Sequence, residues 1–274
     1  MTAIQPSALQ PVVVGVDASA SARDAAEWGA DLAAAWNAPL HLVQVVLGWP
    51  DDAPVPRLPD WLRELVDAAE RCGVDEVEAD VVPGGIVDTL LDRAAGARML
   101  VVGSYGDAAW TGMLAGSVAV TLIDRARCPV AVVRGSAPQV PPPRSGPIVV
   151  GVDGSEAGGA ALDLATQLAA SVGAPLLAVR ATADAVAARG EAQLAAVRIR
   201  YPALLIDERE VEGTAYRVLA EQARDARLLV LGRHQAQPGI DVVLGSTDHG
   251  LVESVPCPVL IAGPQQRDLT DSAS

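Results

Sequence analysis

The chain has 274 residues and a formal net charge of −14, with 34 acidic residues against 20 basic ones. This acidic balance argues against a nucleic-acid partner, because contacts to phosphates need clustered arginine or lysine. Every basic residue is arginine, and a chain without lysine excludes both Schiff-base catalysis and a lysine-dependent phosphate loop.

Apolar runs alternate with amphipathic segments along the first half of the chain. Runs such as residues 12–16 (VVVGV) are typical of strands buried on both faces, and Ser21, three residues before Asp24, is expected to cap the following helix. This alternation predicts a parallel sheet with helices on both faces. The predicted elements are strand 12–16, the helix after Ser21, strand 40–46, helix 60–72, strand 77–82, helix 86–95, strand 99–102, helix 117–125 and strand 130–133.

The second half of the chain repeats the first. Residues 12–19 read VVVGVDAS and residues 148–155 read IVVGVDGS, which places Asp17 and Asp153 136 positions apart, whereas later matches are offset by 129. We assign the difference to extra residues at 47–59. The sequence therefore predicts two tandem Rossmann-like domains, each a five-stranded parallel sheet with helices on both faces. We call residues 11–134 the first repeat and residues 147–263 the second repeat; a proline-rich linker, residues 135–146, joins them.

Cysteine content and hydropathy point to a cytoplasmic protein. The three cysteines are widely spaced and form neither a disulfide framework nor a metal-ligand pattern. No apolar run reaches the roughly 18 residues of a membrane span, and the N-terminal residues lack the pattern of a secretory signal. We therefore expect no membrane association.

A glycine-rich stretch, residues 103–117 (GSYGDAAWTGMLAGS), follows the fourth predicted strand. Its pattern is Gly-x-x-Gly, nine residues, then Gly-Ser. Together with VGVD at 14–17, the Cys-Pro-Val at 128–130 and the tandem arrangement, it resembles the ATP-binding branch of the universal stress proteins. The resemblance covers both repeats and implies the fold of the adenine nucleotide alpha hydrolases, with ATP held where the first and fourth strands end.

The resemblance implies a nucleotide site in the first repeat. Glycine backbone amides would approach the phosphates, the helix beginning at Ser117 would offer its positive end, Asp17 would lie near the ribose or a phosphate-bound Mg²⁺, and the backbone at Val45 would meet the adenine. These contacts would replace the cation that the loop lacks, although Asp107 adds a charge of the wrong sign. The implied ligands of ATP are Gly15, Asp17, Val45, Gly103, Ser104, Gly106, Gly116, Ser117 and Val118.

The second repeat departs from this pattern at Gln235, which stands where the middle glycine is expected. If that position needs a left-handed backbone, a residue other than glycine costs about 1–2 kcal/mol. Arg233 or His234 would compensate as donors to phosphate, or would be ordinary solvated loop residues. The corresponding candidates for nucleotide contacts are Gly151, Asp153, Gly232, Arg233, Gly245, Ser246 and Thr247.

Three functions remain open. The first is a regulatory ATP-binding protein of the stress response, with an unidentified protein partner. The second is an enzyme that handles adenylates, but no catalytic constellation is recognisable, so weak ATP hydrolysis is the most that we expect. The third is a nucleotide-free scaffold. In the family, pairing commonly runs through the fifth strand, so residues 130–133 and 260–262 are expected to meet as an internal pseudo-dimer or to form a homodimer.

Overall fold

The computed structural model describes residues 10–50, 54, 57–104, 117–137, 140–182, 187–233, 250–252 and 254–263. Strands and helices alternate through both repeats. The first repeat contains β1 (Val12–Val16), α1 (Ala20–Trp36), β2 (Leu40–Val46), α2 (Asp60–Arg71), β3 (Val77–Pro83), α3 (Ile86–Arg93), β4 (Met99–Gly103), α4 (Ser117–Arg125) and β5 (Val130–Val133). The second repeat contains β6 (Ile148–Gly151), α5 (Glu156–Val172), β7 (Leu176–Ala181), α6 (Ala187–Arg200), β8 (Ile206–Val211), α7 (Ala215–Gln222), β9 (Leu228–Gly232) and β10 (Val259–Ala262).

All ten of these strands belong to one sheet, in the order β3-β2-β1-β4-β5-β10-β9-β6-β7-β8. Neighbouring strands are parallel within each repeat, whereas β5 and β10 are antiparallel. Each repeat is therefore a five-stranded parallel sheet with the order 3-2-1-4-5, which confirms the predicted fold class. The two sheets join where Ala131 faces Leu260, so the expected contact between the fifth strands is present inside one chain.

The core consists of two apolar layers, one on each face of the sheet. Val12 and Val14 point into the layer that contains α1, α2, α5 and α6, and Val13 points into the layer that contains α3, α4 and α7. The central strands are buried on both sides for this reason, and their sequences are continuously apolar instead of alternating. No helix in the described parts of the chain is long and apolar enough to cross a membrane.

Helix α1 begins two residues earlier than the sequence predicts. Its N-cap is Ser19, whose hydroxyl accepts a hydrogen bond from the backbone amide of Ala22 at 3.1 Å. Ser21, the predicted cap, lies in the first turn of the helix and is buried. The prediction is wrong because the Ser21 hydroxyl accepts a hydrogen bond from the Ser104 amide, 2.9 Å away, at the end of β4.

Candidate functional site

The carboxyl ends of β1, β2 and β4 form the topological switch point of the first repeat. Strand β1 lies between β2 and β4, so the connections from it leave in opposite directions, and ligands of parallel sheets bind at such points. Gly15 pairs with Val43 on one side and with Val102 on the other. The register therefore brings Asp17, Val45 and Ser104 to the same edge of the sheet, as the sequence predicts.

The end of β4 lies in direct contact with the start of α1. A β-carbon on Gly103 would lie 2.5 Å from the Ser21 hydroxyl oxygen and 2.8 Å from the Ser21 carbonyl carbon and oxygen. Only glycine fits this approach. The Asp17 carboxylate, on the other side of the same turn, accepts a hydrogen bond from the Ser19 amide at 3.0 Å. Both predicted residues thus flank the N-terminus of α1.

The other predicted residues of the first repeat have different surroundings. Gly15 lies beneath α3, where a β-carbon would meet a Leu90 methyl group at 2.9 Å. Ser104 is 2% exposed, and its backbone amide donates to the Ser21 hydroxyl. Val45 is half-buried, and Ser117 and Val118 form the start of α4, where Ser117 is exposed. Gly106 and Gly116 lie outside the described residues.

The second repeat reproduces the close contacts of this site. A β-carbon on Gly232 would lie 2.4 Å from the Ala157 carbonyl oxygen, in the position of the Gly103–Ser21 contact. The Asp153 carboxylate accepts hydrogen bonds from the Ser155 amide at 2.9 Å and from the Ser155 hydroxyl at 2.7 Å. Gly151 lies against Leu219, as the equivalent glycine of the first repeat lies against its helix. Three further predicted ligands lie outside the described residues: Gly245, Ser246 and Thr247.

Helix α6 covers the end of β6 in the second repeat. The side-chain amide of Gln193 donates a hydrogen bond to the Ser155 carbonyl at 3.1 Å. A β-carbon on Gly190 would lie 3.1 Å from a Val152 methyl group and 3.8 Å from the Gly154 amide nitrogen. Five residues separate β7 from α6, whereas thirteen separate β2 from α2. Helix α6, which follows the shorter connection, therefore lies against the turn after β6.

Arg233 reaches out of the second repeat. Its guanidinium donates a hydrogen bond to the Ala126 carbonyl at 2.8 Å, just after the end of α4. Cations are favoured at this end of a helix, because the last carbonyls have no partner within it. Burial lowers the pKa of Arg233, and among the described residues its Nε and second terminal nitrogen have no hydrogen-bond partner. This placement does not support the predicted role of Arg233 as a phosphate donor.

Arg134, at the end of β5, makes the reciprocal contact and donates to the Val252 carbonyl at 3.3 Å. The sequence did not predict these two hydrogen bonds between the repeats, nor the contacts of Ser21 and Gln193. Nothing local in the sequence marks them, since each partner lies 38 to 118 positions away. Within the described residues, no three side chains of histidine, cysteine, aspartate or glutamate are grouped as a metal site.

A model of the universal stress protein family matches residues 8–134 and 181–263. This chain belongs to the universal stress protein family. A universal stress protein of Mycobacterium tuberculosis (strain ATCC 25618 / H37Rv) is 32% identical, and the alignment covers 94% of this chain and 98% of that protein. A second one from the same strain is 29% identical over 92% of this chain and 95% of its own length. The crystal structure of a universal stress protein from Archaeoglobus fulgidus DSM 4304 has a TM-score of 0.68 at 17% identity, with 92% of this chain and 98% of that chain covered, and shows the shared fold.

Proposed function

We propose that this universal stress protein is a cytoplasmic regulatory protein of the stress response that binds ATP, with Mg²⁺, in its first repeat. The observation that carries the proposal is the geometry at the switch point: Asp17 and Gly103 flank the N-terminus of α1, and the close Gly103–Ser21 contact leaves no side chain at the end of β4. With this arrangement, backbone amides and one carboxylate line the strand ends. These groups suit a ribose and a metal-bound phosphate chain.

The described residues fit the parts of such a ligand. The start of α4 at Ser117 is exposed, and a helix N-terminus favours an anion by about 0.3–1 kcal/mol. The half-buried Val45 lies level with Asp17, one strand away, on the side proposed for the adenine. Mg²⁺ is commonly bound through substrate phosphates and one or two carboxylates, and Asp17 would supply such a carboxylate.

The second repeat is proposed not to bind ATP. Helix α6 lies over the turn after β6, and the side-chain amide of Gln193 donates a hydrogen bond to the Ser155 carbonyl at that turn. Arg233, the cation nearest in sequence to the predicted phosphate loop, is engaged by Ala126 in the first repeat. A nucleotide would have to displace a packed helix and would not gain Arg233 as a phosphate donor.

The test is a titration of the nucleotide-free protein with Mg²⁺–ATP by calorimetry, with Asp17→Asn and Asp153→Asn as a matched pair. We expect one ATP per chain, a Kd raised at least tenfold by Asp17→Asn, and an unchanged Kd for Asp153→Asn. Tenfold corresponds to about 1.4 kcal/mol, the scale of one lost charged contact. Equal effects of the two substitutions, or none, would contradict the assignment to the first repeat.

A repaired second loop separates the two reasons for its proposed inactivity. Arg233→Ser with Gln235→Gly restores in the second repeat the Gly-Ser-x-Gly start of the first loop. We expect the stoichiometry to stay at one, because α6 still covers the end of β6. A stoichiometry of two would show that the loop sequence alone prevents binding.

A nucleotide-free scaffold is the second candidate, and the antiparallel pairing of β5 with β10 favours it. That pairing makes the chain an internal pseudo-dimer, which would present two repeats to a protein partner without any ligand. Protein that is purified without nucleotide and shows no heat on titration with Mg²⁺–ATP would support this reading over ATP binding. A phosphate-release assay on the same samples measures any slow hydrolysis.

A further inference from the structure

The linker between the repeats lies along α1. We call its place on this helix, beside Glu27 and Asp31, the first groove. The Arg144 guanidinium donates hydrogen bonds to the carboxylates of Asp31 at 2.5 Å and Glu27 at 2.9 Å, and Pro142 is buried. The segment ends at Pro147, whose carbonyl accepts a hydrogen bond from the Arg227 amide at 3.0 Å. A proline-containing strap thus fills this groove on its way to β6.

The equivalent place in the other half is a cavity of about 300 Å³, which we call the second groove. Its lining on α5 comprises Ala160, Asp163, Leu164 and Gln167, which correspond, 136 positions apart, to residues of α1 that include Glu27 and Asp31. The hydrogen bond at the end of the first groove also has an equivalent here. The Arg98 amide donates to the Pro11 carbonyl at 2.9 Å, as the Arg227 amide donates to the Pro147 carbonyl. Gln10, the first described residue, lines the cavity, so the chain enters β1 from within it.

The sequence before β1 resembles the strap that fills the first groove. Residues 4–11 read IQPSALQP and residues 140–147 read VPPPRSGP, aligned at the offset of 136 that relates α1 to α5. Ile4 corresponds to Val140, and Pro6 corresponds to the buried Pro142. In each segment the proline restricts its own backbone to φ of about −65°. The segments differ at Gln10, which stands where the strap has Gly146 with φ of 101°.

The charges of strap and groove change together between the two halves. Ala8 stands where the strap carries Arg144, and on the facing helix Gln167 stands where Asp31 lies. The remaining carboxylate, Asp163, is paired with Arg200 at 3.1 Å on its own repeat. The second groove therefore needs no cation from its occupant, and residues 4–9 supply none.

We propose that residues 4–9 of this chain bind in the second groove as residues 140–145 bind in the first. Residues 1–9 lie outside the described residues, and their last neighbour, Gln10, already lies in the groove. Two other occupants would be sterically possible: residues 264–274, which follow Gly263 at the groove, and the same segment of a second copy of the chain. Neither carries the alignment with the strap.

A photo-crosslinking amino acid placed at Ala8 in the full chain tests this docking. We expect a crosslink from position 8 to residues 160–167 of the same chain, identified by mass spectrometry of the proteolysed product. The same probe placed at Thr270 is the control and is expected to give at least tenfold less of that product. A mixture of isotopically light and heavy protein distinguishes links within a chain from links between chains.

Two variants test whether the groove itself is the binding site. Gln167→Trp, at an exposed edge position, and Ala160→Trp, deeper in the cavity, should each lower the crosslink yield from Ala8 at least fivefold while the melting temperature shows that the variant is folded. A yield unchanged by Gln167→Trp, a crosslink from Thr270 but not from Ala8, a link only between chains, or no link at all would each overturn the proposal.

Discussion

Replacing Gly103 by alanine is expected to destabilise the first repeat and to weaken ATP binding at its proposed site. A β-carbon there would lie 2.8 Å from the carbonyl carbon and oxygen of Ser21, where ordinary contacts are 3.4–4 Å. Because these are backbone atoms, the start of α1 has to shift, and overpacking of this kind costs about 1–3 kcal/mol. Since Asp17 contacts the same turn, the shift should also lower the affinity for ATP.

Thermal unfolding followed by circular dichroism measures the first effect. For a unit of this size each kcal/mol lowers the melting temperature by about 2–4 °C, so we expect a fall of at least about 2 °C. Gly85→Ala is the control for a harmless methyl group, because φ is −78° there and an added β-carbon would lie 3.9 Å from its nearest neighbour, Asp88 Oδ2. Gly232→Ala meets Ala157 at 2.4 Å and should destabilise similarly but leave ATP affinity unchanged. A Gly103→Ala protein that melts and binds ATP as the unaltered protein does would refute the argument.

Three further outcomes follow from local contacts. Ser19→Ala removes the cap of α1 and should lower the free energy of unfolding by about 0.5–2 kcal/mol, whereas Thr214→Ala, which removes no capping bond, should change the urea midpoint little. Asn37→Gly should be tolerated and Asn37→Ala should cost about 1–2 kcal/mol in the same assay, because φ is 50° at this position. Burial raises the pKa of the Cys257 thiol to about 12, so iodoacetamide at neutral pH should label the exposed Cys72 and not Cys257; peptide mapping that finds Cys257 labelled in the folded protein would contradict this.

Most elements of the first repeat could be predicted from the sequence, because strands that are buried on both faces have continuously apolar sequences. Strands 12–16, 40–46 and 130–133 and helix 117–125 are confirmed at both ends. Helix 86–95 ends two residues early, at Arg93. Helix ends depend on a few capping bonds that weak local preferences do not decide.

The cap of α1 and the role of Arg233 could not be predicted, since both depend on distant partners. Serine is a residue type that often caps helices, but the Ser21 hydroxyl accepts a hydrogen bond from the Ser104 amide, 83 positions away. Arginine is a residue type that often binds phosphate, but Arg233 donates a hydrogen bond to the Ala126 carbonyl, 107 positions away. In each case the sequence identifies a polar side chain near the site, and tertiary packing decides its partner, within the first repeat for Ser21 and between the repeats for Arg233.

The two repeats share the contacts that packing demands and differ where the chain is free to vary. Gly103 and Gly232 both meet the first turn of a helix, because a parallel sheet cannot seat α1 or α5 at this distance with a side chain in the way. The connection that follows β2 or β7 has no such constraint, and it is eight residues shorter in the second repeat. That shortening is enough to place α6 over the end of β6 while every strand keeps its register. On the proposal above, a change outside both the sheet and the phosphate loop decides which repeat binds the nucleotide, and the loop motif alone would not reveal it.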